Sequence, residues 1–140
     1  MMKGCYCLII NLENTQKIII GKKLGEIEFE KGCYVYVGSA MNSLESRLKR
    51  HLNEEKKLHW HVDYLLKNAK ITDITYNENK RVECELSEKL SLKAKGIKDF
   101  GCSDCKCKSH LYYFKNRNEA IEHVKNAYDS IAIDYDFFNI

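Results

Sequence analysis

The sequence predicts an α/β fold in which a small, mostly antiparallel sheet is flanked by helices. Three short segments rich in apolar, β-branched and aromatic residues predict the first strands, and they are residues 4–12, 17–20 and 33–37. Glycines punctuate the connections between them, which favours hairpin-like turns. The first 38 residues therefore predict a three-stranded antiparallel unit, with the helices following it.

Helical patterns dominate the rest of the chain. Asn42 followed by Glu45 is typical of an N-cap and N3 pair, which predicts a helix from about Ser43 to Leu52. Apolar spacings of four and five residues predict helices at residues 60–68 and 81–92, and a last helix is predicted at residues 118–128. Residues 71–76 predict a strand or an extended segment, and residues 110–114 predict a further strand.

Length and composition limit the organisation of the chain. With 140 residues and 44% hydrophobic content, the chain is long enough for one compact domain, and we expect residues 1–140 to form it. The apolar run from Cys5 to Ile10 is too short for a signal-peptide core or a membrane span, so we expect a cytoplasmic protein without membrane contact. In such a protein the seven cysteines are expected to be reduced thiols or metal ligands.

The net charge of +3 says little about function, but the distribution of the cations says more. Five cationic side chains gather within a dozen residues beside His51, and they are Arg47, Lys49, Arg50, Lys56 and Lys57. Such a cluster predicts a surface that attracts a polyanion, with nucleic acid as the expected partner. The alternative interpretation is a solvated helix face.

Three motifs follow one another in a fixed order along the chain. They are Gly4-Cys5-Tyr6, then Tyr36-Val37-Gly38, then Arg47 with His51 four residues later. This order resembles the GIY-YIG nuclease superfamily. The resemblance is closer to the branch with a domain of unknown function, DUF123, whose motifs are similar to residues 34–40, 59–64 and 100–105. The resemblance extends from residue 4 to about residue 114.

The resemblance implies a metal-dependent endonuclease that hydrolyses phosphodiester bonds in DNA. It implies catalytic roles for Tyr6, Tyr36, Arg47 and His51. Glu83 is the expected ligand of Mg²⁺ or Mn²⁺, with Glu85 in reserve.

One position departs from the excision-repair type of these nucleases, which carry Lys directly after the glycine of the second motif. This chain has Ser39 there, so a cation that would lower the pKa of Tyr36 is missing, unless His51, Lys56 or Lys57 replaces it. The alternative function is therefore a catalytically weak or inactive module that binds nucleic acid and acts with a DNA-repair partner.

A second cluster contains Cys102, Cys105, Cys107 and His110 in a Cys-rich loop near residues 100–110. Four such ligands fit a zinc site, although zinc sites usually divide their ligands into two separated pairs. Three of them could instead combine with His59 or His61, or the thiols could be reduced and metal-free. Trp60, between those histidines, could line a nucleic-acid groove or belong to the core.

Overall fold

The computed structural model of the protein describes residues 3–102 and 107–140. Within these ranges the chain forms eight strands and five helices. The strands are β1 (Gly4–Leu12), β2 (Gln16–Ile19), β3 (Glu26–Phe29), β4 (Gly32–Ala40), β5 (Lys70–Glu78), β6 (Lys95–Gly96), β7 (Leu111–Phe114) and β8 (Asp136–Phe137). The helices are α1 (Gly21–Leu24), α2 (Leu44–Leu52), α3 (His61–Leu66), α4 (Glu83–Ser91) and α5 (Arg117–Ser130).

Six strands of the described ranges form one sheet in the order β6-β7-β4-β1-β5-β8. Each neighbouring pair is antiparallel, which confirms the predicted α/β class with an antiparallel sheet. β1 lies inside the sheet and pairs along its length with β4 and β5. Both faces of β1 are covered, which explains why its residues form a near-continuous apolar run.

The predicted three-stranded unit is wrong in one strand. β1 pairs directly with β4, but β2 pairs with β3 in a separate hairpin. The sequence prediction omitted β3, although the alternation of acidic and apolar residues in Glu26-Ile27-Glu28-Phe29 is typical of a strand. Ile18 and Phe29 are buried in the core beneath the sheet, so this hairpin covers one face of the sheet instead of extending it.

Each face of the sheet has its own apolar core. One core joins Tyr6, Leu8 and Ile10 of β1 to residues of α2 and α3. The other joins Cys5, Cys7 and Ile9 to residues of α4 and α5. The period-two alternation of a strand divides β1 between them. Residues with adjacent numbers on β1 thus belong to opposite layers.

The helix boundaries differ slightly from the predictions. Ser43, not Asn42, is the N-cap of α2, because its hydroxyl accepts a hydrogen bond from the Ser46 amide at 3.2 Å. Asn116 caps α5 in the same way, so that helix begins one residue earlier than predicted. No helix in residues 3–102 and 107–140 has both the length and the apolar composition needed to cross a bilayer.

Candidate functional site

A cleft of about 200 Å³ opens where β1 begins and β4 ends. Tyr6, Tyr36, Arg47 and Glu83 all line it. They belong to β1, β4, α2 and α4, which lie far apart in the sequence. The structure therefore brings together four of the five residues that were predicted to carry catalysis and metal binding.

Tyr6 and Gly38 are direct partners across the β1–β4 pair. A Cβ atom on residue 38 would lie 2.5 Å from Cζ of Tyr6 and 2.6 Å from its hydroxyl oxygen. The Tyr6 ring is buried and its hydroxyl is held by Nε2 of His51 at 2.7 Å, so the ring cannot withdraw without losing this hydrogen bond. Residue 38 must therefore be glycine for the Tyr6 ring to lie across it.

Gly38→Ala should destabilise the protein by about 1–3 kcal/mol, because the added methyl group overpacks the Tyr6 ring. Urea unfolding measures this loss. In a Tyr6→Ala background the clashing atoms are gone, and the same glycine substitution should cost much less. Equal costs in the two backgrounds would mean that the Tyr6 ring is not what excludes a side chain at residue 38.

His51 lies behind the cleft and is not among the described residues that line it. Its side chain is only 2% exposed, and Nε2 lies 2.7 Å from the Tyr6 hydroxyl. The His51 ring also packs near Tyr36 and Trp60, with centroid distances of 6.3 and 5.9 Å. Among the described residues, no group hydrogen-bonds to His51 Nδ1. His51 thus supports Tyr6 from inside the core.

Burial controls the protonation of this cluster. It raises the pKa of Tyr6 and Tyr36 well above the usual range for a phenol, although the charge of Arg47 opposes this. Burial is the main cause that lowers the pKa of His51 to about 3; Asp63 opposes it, and the nearby cations Arg47 and Arg50 add to it. Both phenols and the imidazole are therefore neutral near pH 7, so the cluster positions hydrogen bonds there.

Arg47 is held in place at the cleft by two contacts. Its Nη1 donates to the backbone oxygen of Ser39 at 2.9 Å, and its Cζ lies 4.3 Å from the centre of the Trp60 ring. Such a cation–π contact restricts a long side chain that would otherwise lose rotamer freedom on binding. Trp60 itself lines the cleft and packs against the core, while binding of nucleic acid at this residue stays a prediction.

Arg50 contacts the same Trp60 ring but has a different environment. Its two terminal nitrogens donate to the two carboxylate oxygens of Asp63 at 3.0 and 2.9 Å. The Asp63 side chain is fully buried and also accepts from the backbone amides of His59 and Trp60. Burial alone would raise the pKa of Asp63, but these hydrogen bonds hold it below its usual value. Arg50 thus clamps α2 to the start of α3.

The other predicted nucleic-acid-binding cations also lie outside the cleft. Lys49 is exposed and 3.9 Å from Glu45, and the Lys56 ammonium donates to the backbone oxygens of His51 and Asn53. Lys57 is exposed, and its backbone oxygen accepts from Arg50. Binding of nucleic acid by these lysines and by Arg50 stays a prediction.

Glu83 begins α4, on the opposite layer from α2, and its side chain still reaches the cleft. Its carboxylate is 15% exposed and accepts from Nε of Arg81 at 2.8 Å. Arg81 also lines the cleft, and sequence reasoning missed it because no motif included it. It provides a cation at the cleft, where Ser39 provides none. Glu85 is exposed and is not one of the described cleft residues.

The predicted zinc ligands are only partly brought together. Cys107 and His110 lie close to Cys84 of α4, and the three ligand atoms are within 4.8 Å of one another. Cys102 is not in this group, and Cys105 lies outside the described residues. His59 and His61 line the cleft and are likewise absent from the group as the described residues define it. No spacing rule points to Cys84, since it is 23 residues from Cys107.

No curated protein and no solved structure matches the chain. Residues 5–133 match the family model of DUF123, described as a domain of unknown function. Because this match spans most of the chain, the protein belongs to the DUF123 family.

Proposed function

We propose that the protein is a metal-dependent phosphodiesterase of GIY-YIG type that acts on DNA. One observation carries the proposal: Tyr6, Tyr36, Arg47 and Glu83, from four separate elements, line one cleft. These residue types in one cleft combine phenols for hydrogen bonding, a guanidinium for phosphate and a carboxylate for a divalent cation. That combination suits a phosphodiester substrate.

Arg47 is the proposed phosphate ligand. Its guanidinium presents several donors in a planar fork, and the contacts with Ser39 and Trp60 orient it before substrate arrives. A cation held in this way stabilises the negative charge that develops on the phosphate during displacement. Arg81, half exposed at the same cleft, adds positive charge along the path of the DNA backbone.

Glu83 is the proposed metal ligand. A single carboxylate suits Mg²⁺ or Mn²⁺, because Mg²⁺ usually keeps several of its waters. The half-buried carboxylate of Glu83 at the cleft wall fits this role, with Arg81 balancing its charge in the structure. When bound there, the divalent cation would supply Lewis-acid stabilisation of the leaving oxygen.

The two phenols are proposed to orient the attacking water. Their raised pKa values keep them protonated near pH 7, so each can donate as well as accept a hydrogen bond. The Tyr6 hydroxyl is held by a hydrogen bond with His51, and the Tyr6 ring lies across Gly38, which has no side chain. We assign His51 to the positioning of Tyr6, since the imidazole is buried behind the cleft.

The testing experiment compares two glutamates of one helix. Glu83→Gln keeps the size of the side chain but removes its charge, so cleavage of DNA with Mg²⁺ or Mn²⁺ should fall by about 100-fold or more. Glu85→Gln is the matched control, because Glu85 lies on the same helix and is exposed. It should cleave like the wild type. Binding of DNA, measured separately by fluorescence anisotropy, should persist in both variants.

The outcomes of this comparison separate the possible errors. If Glu85→Gln abolishes cleavage and Glu83→Gln does not, the metal carboxylate is the other member of the pair. If neither variant loses activity, the metal site lies elsewhere. If the wild-type protein cleaves neither duplex, branched nor single-stranded DNA, the catalytic proposal fails.

A second candidate function is a DNA-binding module with little or no turnover, acting with a repair protein. Two observations favour it: Ser39 supplies no cation beside Tyr36, and Arg81 already pairs with the Glu83 carboxylate. DNA binding without cleavage, with an affinity that falls steeply with salt, would support this module. Arg47→Ala should then weaken binding and reduce its salt dependence.

A further inference from the structure

Two sulfurs and an imidazole converge beside the cleft, outside the proposed phosphate and Mg²⁺ sites. The Cys84 and Cys107 sulfurs are 2.9 Å apart, and a ring nitrogen of His110 lies within 4.8 Å of both. These residues come from α4, the Cys-rich loop and the residue before β7. Three soft or borderline ligand atoms, one from α4 and two from the Cys-rich loop, form a set that zinc prefers and Mg²⁺ does not.

Cys84 supplies the distant ligand that the Cys-rich loop by itself lacks. Cys102, Cys105, Cys107 and His110 are compressed into nine residues, whereas zinc sites usually combine ligand groups that are well separated. With Cys84, the set becomes a close pair, Cys107 and His110, plus one ligand from a distant helix. Cys102 has a different contact, since its thiol donates to the backbone oxygen of Phe100 at 3.4 Å.

A buried hydrogen bond orients the imidazole. Nδ1 of His110 lies 2.8 Å from the Ser87 hydroxyl, and both side chains are buried. Ser87 follows Cys84 by three residues on α4, so the two side chains lie on neighbouring positions of one helix face. Histidines that bind metals are commonly held by such a partner. The backbone of His110 is fixed as well, because its oxygen accepts from the Val37 amide at 2.9 Å.

We propose that Cys84, Cys107 and His110 bind one Zn²⁺ ion that fastens the start of α4 to the loop before β7. Cys84 directly follows Glu83, and both Glu83 and His110 line the cleft. The zinc would therefore hold the Glu83 end of α4 against the cleft wall. Three protein ligands would leave the fourth position of the ion to a water molecule. This ion is distinct from the Mg²⁺ or Mn²⁺ of the proposed reaction.

The test measures zinc in protein purified under reducing conditions without added chelator. Elemental analysis of the wild type should find about one equivalent of zinc, and Cys84→Ser should lose most of it. Cys33→Ala is the matched control, because Cys33 is a buried thiol of β4 outside the group, and it should keep its zinc. Chelation should lower the melting temperature of the wild type, since metal binding is coupled to folding.

Cobalt gives a second readout that does not depend on purification yield. Titration of Co²⁺ into metal-free wild type should produce the absorption bands of tetrahedral thiolate coordination, and Cys84→Ser should weaken the sulfur charge-transfer band. The proposal fails if the wild type binds neither metal, or if Cys84→Ser binds zinc like the wild type. A disulfide between Cys84 and Cys107 in place of the metal would also overturn it. Zinc content is measured without DNA, so its failure would leave the phosphodiesterase proposal standing.

Discussion

Arg50→Ala should cost about 3–5 kcal/mol of folding stability, the largest loss expected from any single substitution considered for this protein. The substitution removes both charged hydrogen bonds to Asp63, whose side chain is 0% exposed, while the Arg50 side chain is 28% exposed. Within the part of the chain that the structure describes, the buried carboxylate would then keep the backbone amides of His59 and Trp60 as its hydrogen-bond donors, and its charge would be uncompensated. Guanidinium chloride unfolding at neutral pH measures the change in the free energy of unfolding.

Two variants control this experiment. Lys49→Ala removes the neighbouring cation, which is exposed and 3.9 Å from an exposed Glu45, and it should change stability by less than about 0.5 kcal/mol. Arg50→Lys keeps the charge but not the two-pronged geometry, so its loss should be intermediate. If Arg50→Ala were as stable as Lys49→Ala, the Arg50–Asp63 pair would not clamp α2 to α3. Arg50 would then be available for nucleic acid, as the sequence pattern predicts.

The second large effect is a loss of stability in mildly acidic solution that arises from His51. The folded protein holds the pKa of His51 at about 3, whereas the ordinary value is 6.5. Below pH 6.5 the unfolded chain takes up a proton that the folded protein does not bind. Neutral His51 therefore makes its full contribution to the free energy of unfolding above this pH. That contribution falls by about 1.4 kcal/mol per pH unit as the pH decreases toward 3.

His51→Gln isolates this contribution. Glutamine can still hydrogen-bond to the Tyr6 hydroxyl, but it does not titrate. Urea unfolding between about pH 7 and pH 5 should show a loss that is roughly 2 kcal/mol larger in the wild type than in the variant. Burial also lowers the pKa of His61 and His110. Both histidines are present in the wild type and in His51→Gln, so their contribution to the pH dependence of stability is the same in the two proteins. Asp63 does not interfere, because its lowered pKa places its loss at more acidic pH.

His59→Gln is the control for a general effect of removing a histidine. His59 is exposed, and its replacement should change the free energy of unfolding at pH 7 by less than about 0.5 kcal/mol. Parallel profiles of wild type and His51→Gln would show that His51 accepts a proton in the folded state. It would then be open to solvent, and its assignment as a buried support for Tyr6 would be wrong.

The sequence alone determined the elements whose patterns are local. β1 follows from its apolar, β-branched and aromatic composition, β4 from its alternation, and α2 from the capping pattern near its start. α4 follows from an apolar stripe at intervals of four residues, because a helix repeats its buried positions at a short, regular interval. The motif order led to DUF123 and to Tyr6, Tyr36, Arg47 and Glu83, and the structure places these four side chains at one cleft.

Only the tertiary structure decided which partners these residues have. Arg47 and Arg50 look alike in the sequence, but one faces the cleft and the other is bound to a buried Asp63. Pairing of β2 with β3, rather than with β1, is likewise a contact between segments that local patterns do not specify. Cys84 reaches Cys107 and His110 only because α4 packs beside β4 and β7. These three cases have the same physical reason. Periodicity in the sequence assigns a residue to one face of its helix or strand, but the residue that it contacts depends on how helices and strands distant in sequence pack together.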